Sequence, residues 1–180
     1  MRKFTFIFTA MLVFAAVVYG QKETTNFAGT WNLDVEKSEL GGRSRIKSMT
    51  MTVTHSENEL SYERKVEREE PSDGGMGGGR GMGRGRRGGG NPAATFDLTG
   101  KETSAPSGGA GGDSKLKAEI DGSTLKLVQD RNFNSPRGEI SIITTEKWSL
   151  SEDGNTLTVT SETETPRGTR SSTMVFSKAD

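Results

Sequence analysis

Five polar side chains occur in stretches of the sequence that alternate between apolar and polar residues. Tyr62 and Arg64 belong to one such stretch, Gln129 and Arg131 to a second, and Glu146 to a third. If the more apolar face of each stretch points into a core, these five side chains point there as well. A charged group in a core is costly unless it is paired. We therefore expect Glu146 to pair with Arg64 or with Arg131.

The same residues also offer a binding chemistry. A planar guanidinium can donate two parallel hydrogen bonds to a carboxylate or a phosphate. The residues expected to line a ligand site are Tyr62, Arg64, Gln129, Arg131 and Glu146. The alternative is that these long side chains lie near strand ends and extend into water. A shift of one residue through a bulge would reverse which face points inward.

The sequence gives little support for catalysis or for metal binding. His55 is the single histidine and there is no cysteine, so a transition-metal site has no partners, and we expect neither a metal nor a cofactor. The motifs of serine hydrolases, zinc proteases and phosphate-binding loops do not occur. We expect a protein that is not an enzyme. The alternative is an enzyme that uses Arg64, Arg131 and Glu146.

Short strands must position these residues. Residues 46–55 alternate strictly and return, after a turn at 56–59, in a hairpin. Comparable strands separated by turns are expected in residues 29–35, 60–66, 95–101, 115–120, 125–133, 140–150, 156–163 and 172–176. One helical turn is expected at 36–42, before two glycines. No stretch is long enough for a crossover helix, so the pattern predicts an all-β antiparallel meander of eight to ten strands.

Residues 1–20 have the composition of an export signal. A basic start at Arg2-Lys3 precedes an apolar run from Phe4 to Val18, and Gly20 suits a cleavage site. The alternative is an uncleaved anchor, but the apolar run is short for a bilayer span. We expect residues 21–180 to form one secreted or periplasmic domain with no transmembrane segment.

Charge and cysteine usage narrow the function classes further. The chain contains 24 basic and 24 acidic residues, so removing Arg2 and Lys3 with the signal leaves a net charge of about −2. This balance gives no general attraction to nucleic acid or to an anionic membrane. The absence of cysteine excludes disulfide bonds, but a domain of this length can bury a sufficient core without them.

Two stretches have the composition of loops. Residues 74–90 contain only glycine, arginine and methionine, and eleven of the seventeen are glycine. Ordering so many glycines is entropically costly, so we expect a disordered insertion over 71–93 and a flexible loop over 103–114. An anionic envelope polymer could bind the arginines of the insertion, which are Arg80, Arg84, Arg86 and Arg87. RNA-binding segments of this kind usually carry aromatic residues, so nucleic acid is not expected as a partner.

Two segments, one from Gly29 to Ser38 and one from Trp148 to Thr158, resemble segments of bacterial secreted lipocalin-like domains, which belong with lipocalins and fatty-acid-binding proteins to the calycins. Gly29-Thr30-Trp31-Asn32-Leu33, followed by Lys37-Ser38, is similar to their G-x-W opening. The segment from Trp148 to Thr158 is similar to their closing pattern W-x-L-S-x-D-G-x-T-L-T. The resemblance implies a single up-and-down lipocalin-like β-barrel, with Gly29 and Trp31 at its base and a small apolar ligand inside.

The chain departs from these families at three places. The candidates for the late arginine that covers the tryptophan in lipocalins are Arg167 and Arg170, and neither lies in a recognisable motif. The segment Arg170-Ser171-Ser172 does not match the R-x-Y that grips a carboxylate in fatty-acid-binding proteins. The interval between Trp31 and Ile46 leaves no room for the two helices that cover the barrel in those proteins.

Two functions are therefore open. The first is an exported binding protein that holds a small apolar ligand in the barrel interior. The second is a non-enzymatic module of the cell envelope, with a filled barrel, that acts through its surface and its cationic Gly/Arg loop. An interior void of several hundred cubic ångströms would favour the first function.

Overall fold

The computed structural model describes residues 25–41, 44–69, 91–106, 113–135 and 138–179. They form ten strands: β1 (Gly29–Glu39), β2 (Ile46–His55), β3 (Glu59–Arg68), β4 (Asn91–Asp97), β5 (Thr103–Pro106), β6 (Asp113–Asp121), β7 (Thr124–Ser135), β8 (Gly138–Leu150), β9 (Thr156–Thr165) and β10 (Gly168–Lys178). The described residues contain no helix, and hence none that could cross a membrane.

The strands form one antiparallel sheet in the order β4-β3-β2-β1-β10-β9-β8-β7-β6-β5. Because β1 pairs with β10, the first and last strands lie side by side in the middle of the sheet. The two ends of the sheet, β4 and β5, meet where the Thr103 hydroxyl donates to the Thr95 carbonyl at 3.2 Å. The sheet is thus an up-and-down, nearly closed barrel, which confirms the predicted fold class.

The helical turn predicted at 36–42 is wrong for the part that the structure describes. Strand β1 continues to Glu39, and its pairing with β10 shifts register between Asp34 and Glu39. The Ser38 hydroxyl donates to the Asp34 carbonyl at 2.6 Å and accepts from the Val175 N–H at 2.9 Å. These bonds hold the irregular segment against β10, so the chain stays in the sheet.

Both predicted loops are shorter than the sequence indicated. Strand β4 begins at Asn91, inside the 71–93 insertion, because Asn91 pairs with Arg64 on β3. Strand β5 takes up 103–106 of the 103–114 loop, because it pairs with the beginning of β6. At these positions the loop predictions were wrong. Residues 113–114 begin β6, while 71–90, 107–112 and the export signal at 1–20 lie outside the described residues.

The barrel has two different ends. The turns at 56–58, 98–102, 122–123 and 151–155 and the start of β1 lie at one end, here called the closed end. The opposite end, here called the open end, carries the connection from β1 to β2 at 40–45 and the turn from β9 to β10. The connections from β3 to β4, from β5 to β6 and from β7 to β8 begin and finish there too.

Strand register arranges the inner wall in levels, because alternate residues of each strand point inward. Near the closed end, the first level to which all four strands from β7 to β10 contribute contains Leu125, Trp148, Val159 and Met174. The next level contains Leu127, Glu146, Ser161 and Ser172. The third level contains Gln129, Thr144, Thr163 and Arg170. The wall therefore changes from apolar to polar toward the open end.

The core of the closed end is built around Trp31. Its side chain is fully buried, and its Nε1–H donates to the Phe27 carbonyl at 3.1 Å. Phe27 packs edge-on against the equally buried Trp148, with 6.1 Å between ring centroids. The ammonium of Lys178 lies 5.6 Å from the Trp31 ring centroid. The indole thus has a partner for its polar atom and a cation on one face.

Neither of the two candidate arginines, Arg167 and Arg170, covers Trp31. Both lie at or beside the β9–β10 turn, at the open end of the barrel. Lys178 fills that position because it is the direct pairing partner of Trp31 at the end of β10.

Trp31→Ala should strongly destabilise the protein, because it removes one of the two fully buried tryptophan side chains and leaves a cavity. We expect a loss of about 3–5 kcal/mol in the free energy of unfolding, measured by urea denaturation. Val35→Ala is the matched control on the same strand. Val35 is 39% exposed, so its loss should stay within about 0.5 kcal/mol. Similar losses in the two variants would contradict this view of the core.

His55 fixes the chain segment that precedes β1. The Phe27 N–H donates to His55 Nδ1 at 3.1 Å, and the two rings stack with 5.9 Å between centroids. An acceptor nitrogen exists only in the neutral imidazole. Burial lowers the pKa of His55 below its ordinary value of 6.5. His55 is therefore a structural residue of the closed end that works in its neutral form.

Folding should become less favourable on acidification because of His55. Its pKa is lower in the folded protein, so its contribution to stability is complete above about pH 6.5 and is lost as the pH falls through the folded pKa. His55→Asn keeps an acceptor oxygen but does not titrate. Urea denaturation between about pH 5.5 and 7.5 should show a smaller pH dependence in this variant. Identical slopes for variant and wild type would refute the assignment.

Candidate functional site

An ion pair crosses the interior of the barrel. Arg64 on β3 donates from Nη1 and Nη2 to the two carboxylate oxygens of Glu146 on β8, each at 2.8 Å. In the sheet order, β2, β1, β10 and β9 lie between these two strands, so the pair joins facing walls. Trp148 Nε1–H adds a third hydrogen bond to Glu146 at 2.9 Å. The prediction that Glu146 pairs with one of two arginines is confirmed, and the partner is Arg64.

The surroundings of the pair compensate for its burial. The side chains of Arg64 and Glu146 are only 11% and 7% exposed. Arg64 Nε donates to Met51 Sδ at 3.3 Å, and the Arg64 guanidinium lies 4.7 Å from the Tyr62 ring centroid. Every side-chain nitrogen of Arg64 therefore has a contact. The pair forms the boundary of the packed core on the side of the open end.

The charges of the pair also control nearby protonation. Burial favours protonated Glu146, but the Arg64 charge and the hydrogen bonds from Arg64 and Trp148 outweigh it and lower the pKa of Glu146. Burial and the neighbouring Glu146 carboxylate raise the pKa of Tyr62 well above its usual range. At neutral pH, Glu146 is thus ionised and Tyr62 is protonated.

A cleft of about 820 Å³ lies at the open end of the barrel. It is formed by the connection from β1 to β2, the end of β3, and the open-end parts of β9 and β10. Its lining residues are Leu40, Gly41, Ser44, Arg45, Ile46, Arg68, Thr163, Arg170, Ser171 and Ser172. The volume is within the range of ligand pockets. Two aliphatic side chains, several hydroxyl groups and three arginines give it an amphipathic surface.

The three arginines make the cleft electropositive. Arg45, Arg68 and Arg170 come from three different parts of the fold and are all exposed. None of them forms an ion pair with a carboxylate of the described residues. Their charges are therefore available to attract an anionic molecule to the open end.

None of the five residues predicted to line a ligand site borders this cleft. Tyr62, Arg64 and Glu146 lie in the layer beneath it. Gln129 and Arg131 lie on β7, two strands away from the cleft wall on β9, and both are partly exposed. Their role in ligand binding stays a prediction. The described residues contain no group of three or more His, Asp or Glu that could hold a metal.

Sequence reasoning missed the rim of the cleft. Leu40, Arg45 and Ile46 lie in or beside the connection from β1 to β2, and Arg68 is the last residue of β3. Pairing is irregular between Ile46 and Ser48, which interrupts the alternation there. The available signal was the clustering of arginines at strand ends, which alone does not bring them together.

The barrel defined by this topology is a calycin-type fold. The chain is similar to zebrafish ileal bile acid-binding protein complexed with cholic acid, with a TM-score of 0.52, 14% identity, and coverage of 85% of this chain and 98% of that chain. It is also similar to a Schistosoma mansoni fatty acid binding protein in complex with arachidonic acid, with a TM-score of 0.44, 14% identity, and coverage of 86% and 96%. No protein-family model and no curated protein match the chain. At this identity the likeness establishes the fold alone.

Removing one partner of the ion pair should lower the free energy of unfolding more than replacing both partners by apolar residues. Glu146→Ala leaves Arg64 charged and unpaired in the interior, and we expect a loss of about 3–5 kcal/mol in the free energy of unfolding. Replacing both partners, as Arg64→Met with Glu146→Leu, should recover most of that loss because no charge remains buried. Urea denaturation of the single and double variants gives the comparison. A double variant as unstable as Glu146→Ala would overturn this explanation.

Proposed function

We propose that this protein binds a small, largely apolar ligand in the open half of its barrel. The observation behind this proposal is that the barrel interior is packed in one half and open in the other. Packed side chains fill the closed half as far as the Arg64–Glu146 pair, whereas the open half contains a cleft of about 820 Å³. Leu40 and Ile46 offer the ligand an apolar surface, and the hydroxyl groups of the lining can orient its polar part.

The similar structures support a binding function. The zebrafish protein of similar fold is complexed with cholic acid, a small molecule. In the present chain, the charged residues at the barrel centre are engaged with each other, which favours binding over catalysis. We also propose that the protein acts after export, on the basis of the signal-like residues 1–20.

Access to the cleft follows from the short connection at 40–45. The described part of this connection contains no helix, and the cleft that it borders is open to solvent. Among the described residues no helix covers the cleft, so none of them has to move for a ligand to enter.

The envelope-module alternative depends on the Gly/Arg insertion. Arg80, Arg84, Arg86 and Arg87 lie outside the described residues, so no contact of theirs supports it. The filled closed half fits either function, but the open cleft favours ligand binding.

Filling the cleft should abolish binding without harming the fold. We expect delipidated protein to bind the neutral fluorescent probe N-phenyl-1-naphthylamine saturably. Thr163→Trp places an indole in the cleft and should weaken probe affinity at least about tenfold, or about 1.4 kcal/mol.

Thr160→Trp is the matched control, since Thr160 lies on the outer face of the same strand and is exposed. Its affinity should equal that of the wild type. A wild type that shows no saturable uptake, or equal weakening in both variants, would exclude ligand binding at this cleft.

A further inference from the structure

Two buried polar atoms lack a hydrogen-bond partner among the described side chains: the Ser114 hydroxyl oxygen and Arg131 Nε. They do not lie in separate places. Ser114 on β6 and Arg131 on β7 are direct pairing partners in the sheet. A buried donor without an acceptor costs free energy, and two at one position call for a common explanation.

Both side chains belong to the inner wall of the barrel. Ser114 is 1% exposed and shares its face of β6 with the core residues Leu116 and Ala118. Arg131 shares its face of β7 with Leu125 and Leu127, which are also in the core. The positive charge of Arg131 also opposes the rise in the pKa of buried Tyr62, as expected for a guanidinium directed into the barrel.

The two arginines whose side chains are buried or partly buried in the inner wall, Arg64 and Arg131, differ in how their charge is neutralised. The charge of Arg64 is balanced by Glu146 in a two-bond pair. Arg131 forms no ion pair with any carboxylate of the described residues. Its direct pairing partner on the neighbouring strand β8 is the apolar Ile142. The missing component is thus an acceptor with a negative charge.

Strand register places this position within the length of a lipid-sized ligand from the cleft. Thr163 borders the cleft, and its hydroxyl lies 3.4 Å from that of Thr144 on β8, which in turn pairs with Gln129 on β7. Neighbouring strands are about 4.8 Å apart, so β9 and β7 are separated by about 10 Å along the wall. Arg131 is the next inward residue after Gln129, about 7 Å closer to the open end. A lipid-sized molecule spans this distance.

We propose that Arg131 and Ser114 form the anion subsite of the ligand. The ligand is then an amphipathic molecule with one oxyanion group. Its apolar body lies in the cleft, and its oxyanion accepts hydrogen bonds from the Arg131 guanidinium and the Ser114 hydroxyl. This inference rests on the proposed function and adds the chemical class of the ligand.

Two probes with the same ring system separate the charge from the apolar body. These are 8-anilino-1-naphthalenesulfonate, which carries a sulfonate, and N-phenyl-1-naphthylamine, which is its neutral counterpart. We expect the wild type to bind the sulfonate more tightly. Arg131→Gln should weaken sulfonate binding about tenfold and change neutral-probe binding less than about twofold, because it removes a charge-assisted hydrogen bond.

Further variants make the test specific. Ser114→Ala should weaken sulfonate binding a few-fold, and Arg131→Lys should retain part of the preference because it keeps the charge. Lys126→Gln is the matched control, since it also removes one positive charge from β7. Lys126 lies on the outer face of the strand, where its Nζ is 3.5 Å from a Glu119 carboxylate oxygen. This variant should bind both probes as the wild type does. Circular dichroism melting curves without probe report whether each variant is folded.

The outcomes distinguish the subsite from the proposed function. If both probes bind and Arg131→Gln weakens them equally or not at all, the anion subsite is refuted while ligand binding stands. If neither probe binds the wild type, the proposed function fails and the subsite fails with it. If Arg131→Gln does not fold, Arg131→Lys and Ser114→Ala decide, and unchanged sulfonate preference in both refutes the subsite.

Discussion

The ion pair between Arg64 and Glu146 is the constraint on which the organisation of this barrel depends. Two charges removed from water must satisfy each other and find further partners. Here Met51, Tyr62 and Trp148 supply those contacts, and together with the pair they close the barrel across its middle. The closed half of the described barrel is therefore a packed core, and the cleft of about 820 Å³ lies in the open half.

The change in polarity along the inner wall follows from strand register. Each strand of β7 to β10 contributes an apolar residue near the closed end and a polar residue near the open end, and pairing aligns them into levels. Stability and the proposed ligand binding are consequently separated along one axis. The first depends on Trp31, Trp148 and their neighbours, and the second on groups that lie beyond Glu146.

Local alternation explains which parts of this architecture the sequence predicts. It predicts most of the strands, and it predicts that Arg64 and Glu146 point inward, because side chains alternate between the two faces along each strand. It did not choose between Arg64 and Arg131, because that choice depends on β3 facing β8 across the closed barrel.

Pairing between distant segments accounts for the remaining differences. Glycine-, proline- and serine-rich composition at 103–114 indicated a loop, but hydrogen bonding to β6 makes its first residues a strand. The position of Lys178 over Trp31 follows from the pairing of β1 with β10, which joins opposite ends of the chain. The seam where β4 meets β5 also joins two distant positions of the sheet order, and it is a place where the chain can become longer. In the described residues a side-chain hydroxyl, not a ladder, joins these strands, and the longest glycine-rich interval of the sequence leads from β3 into β4. Doubling a loop costs only about 0.6 kcal/mol, so this edge is where evolution can add residues, or an engineer can graft a foreign peptide, without shifting the register of any other strand.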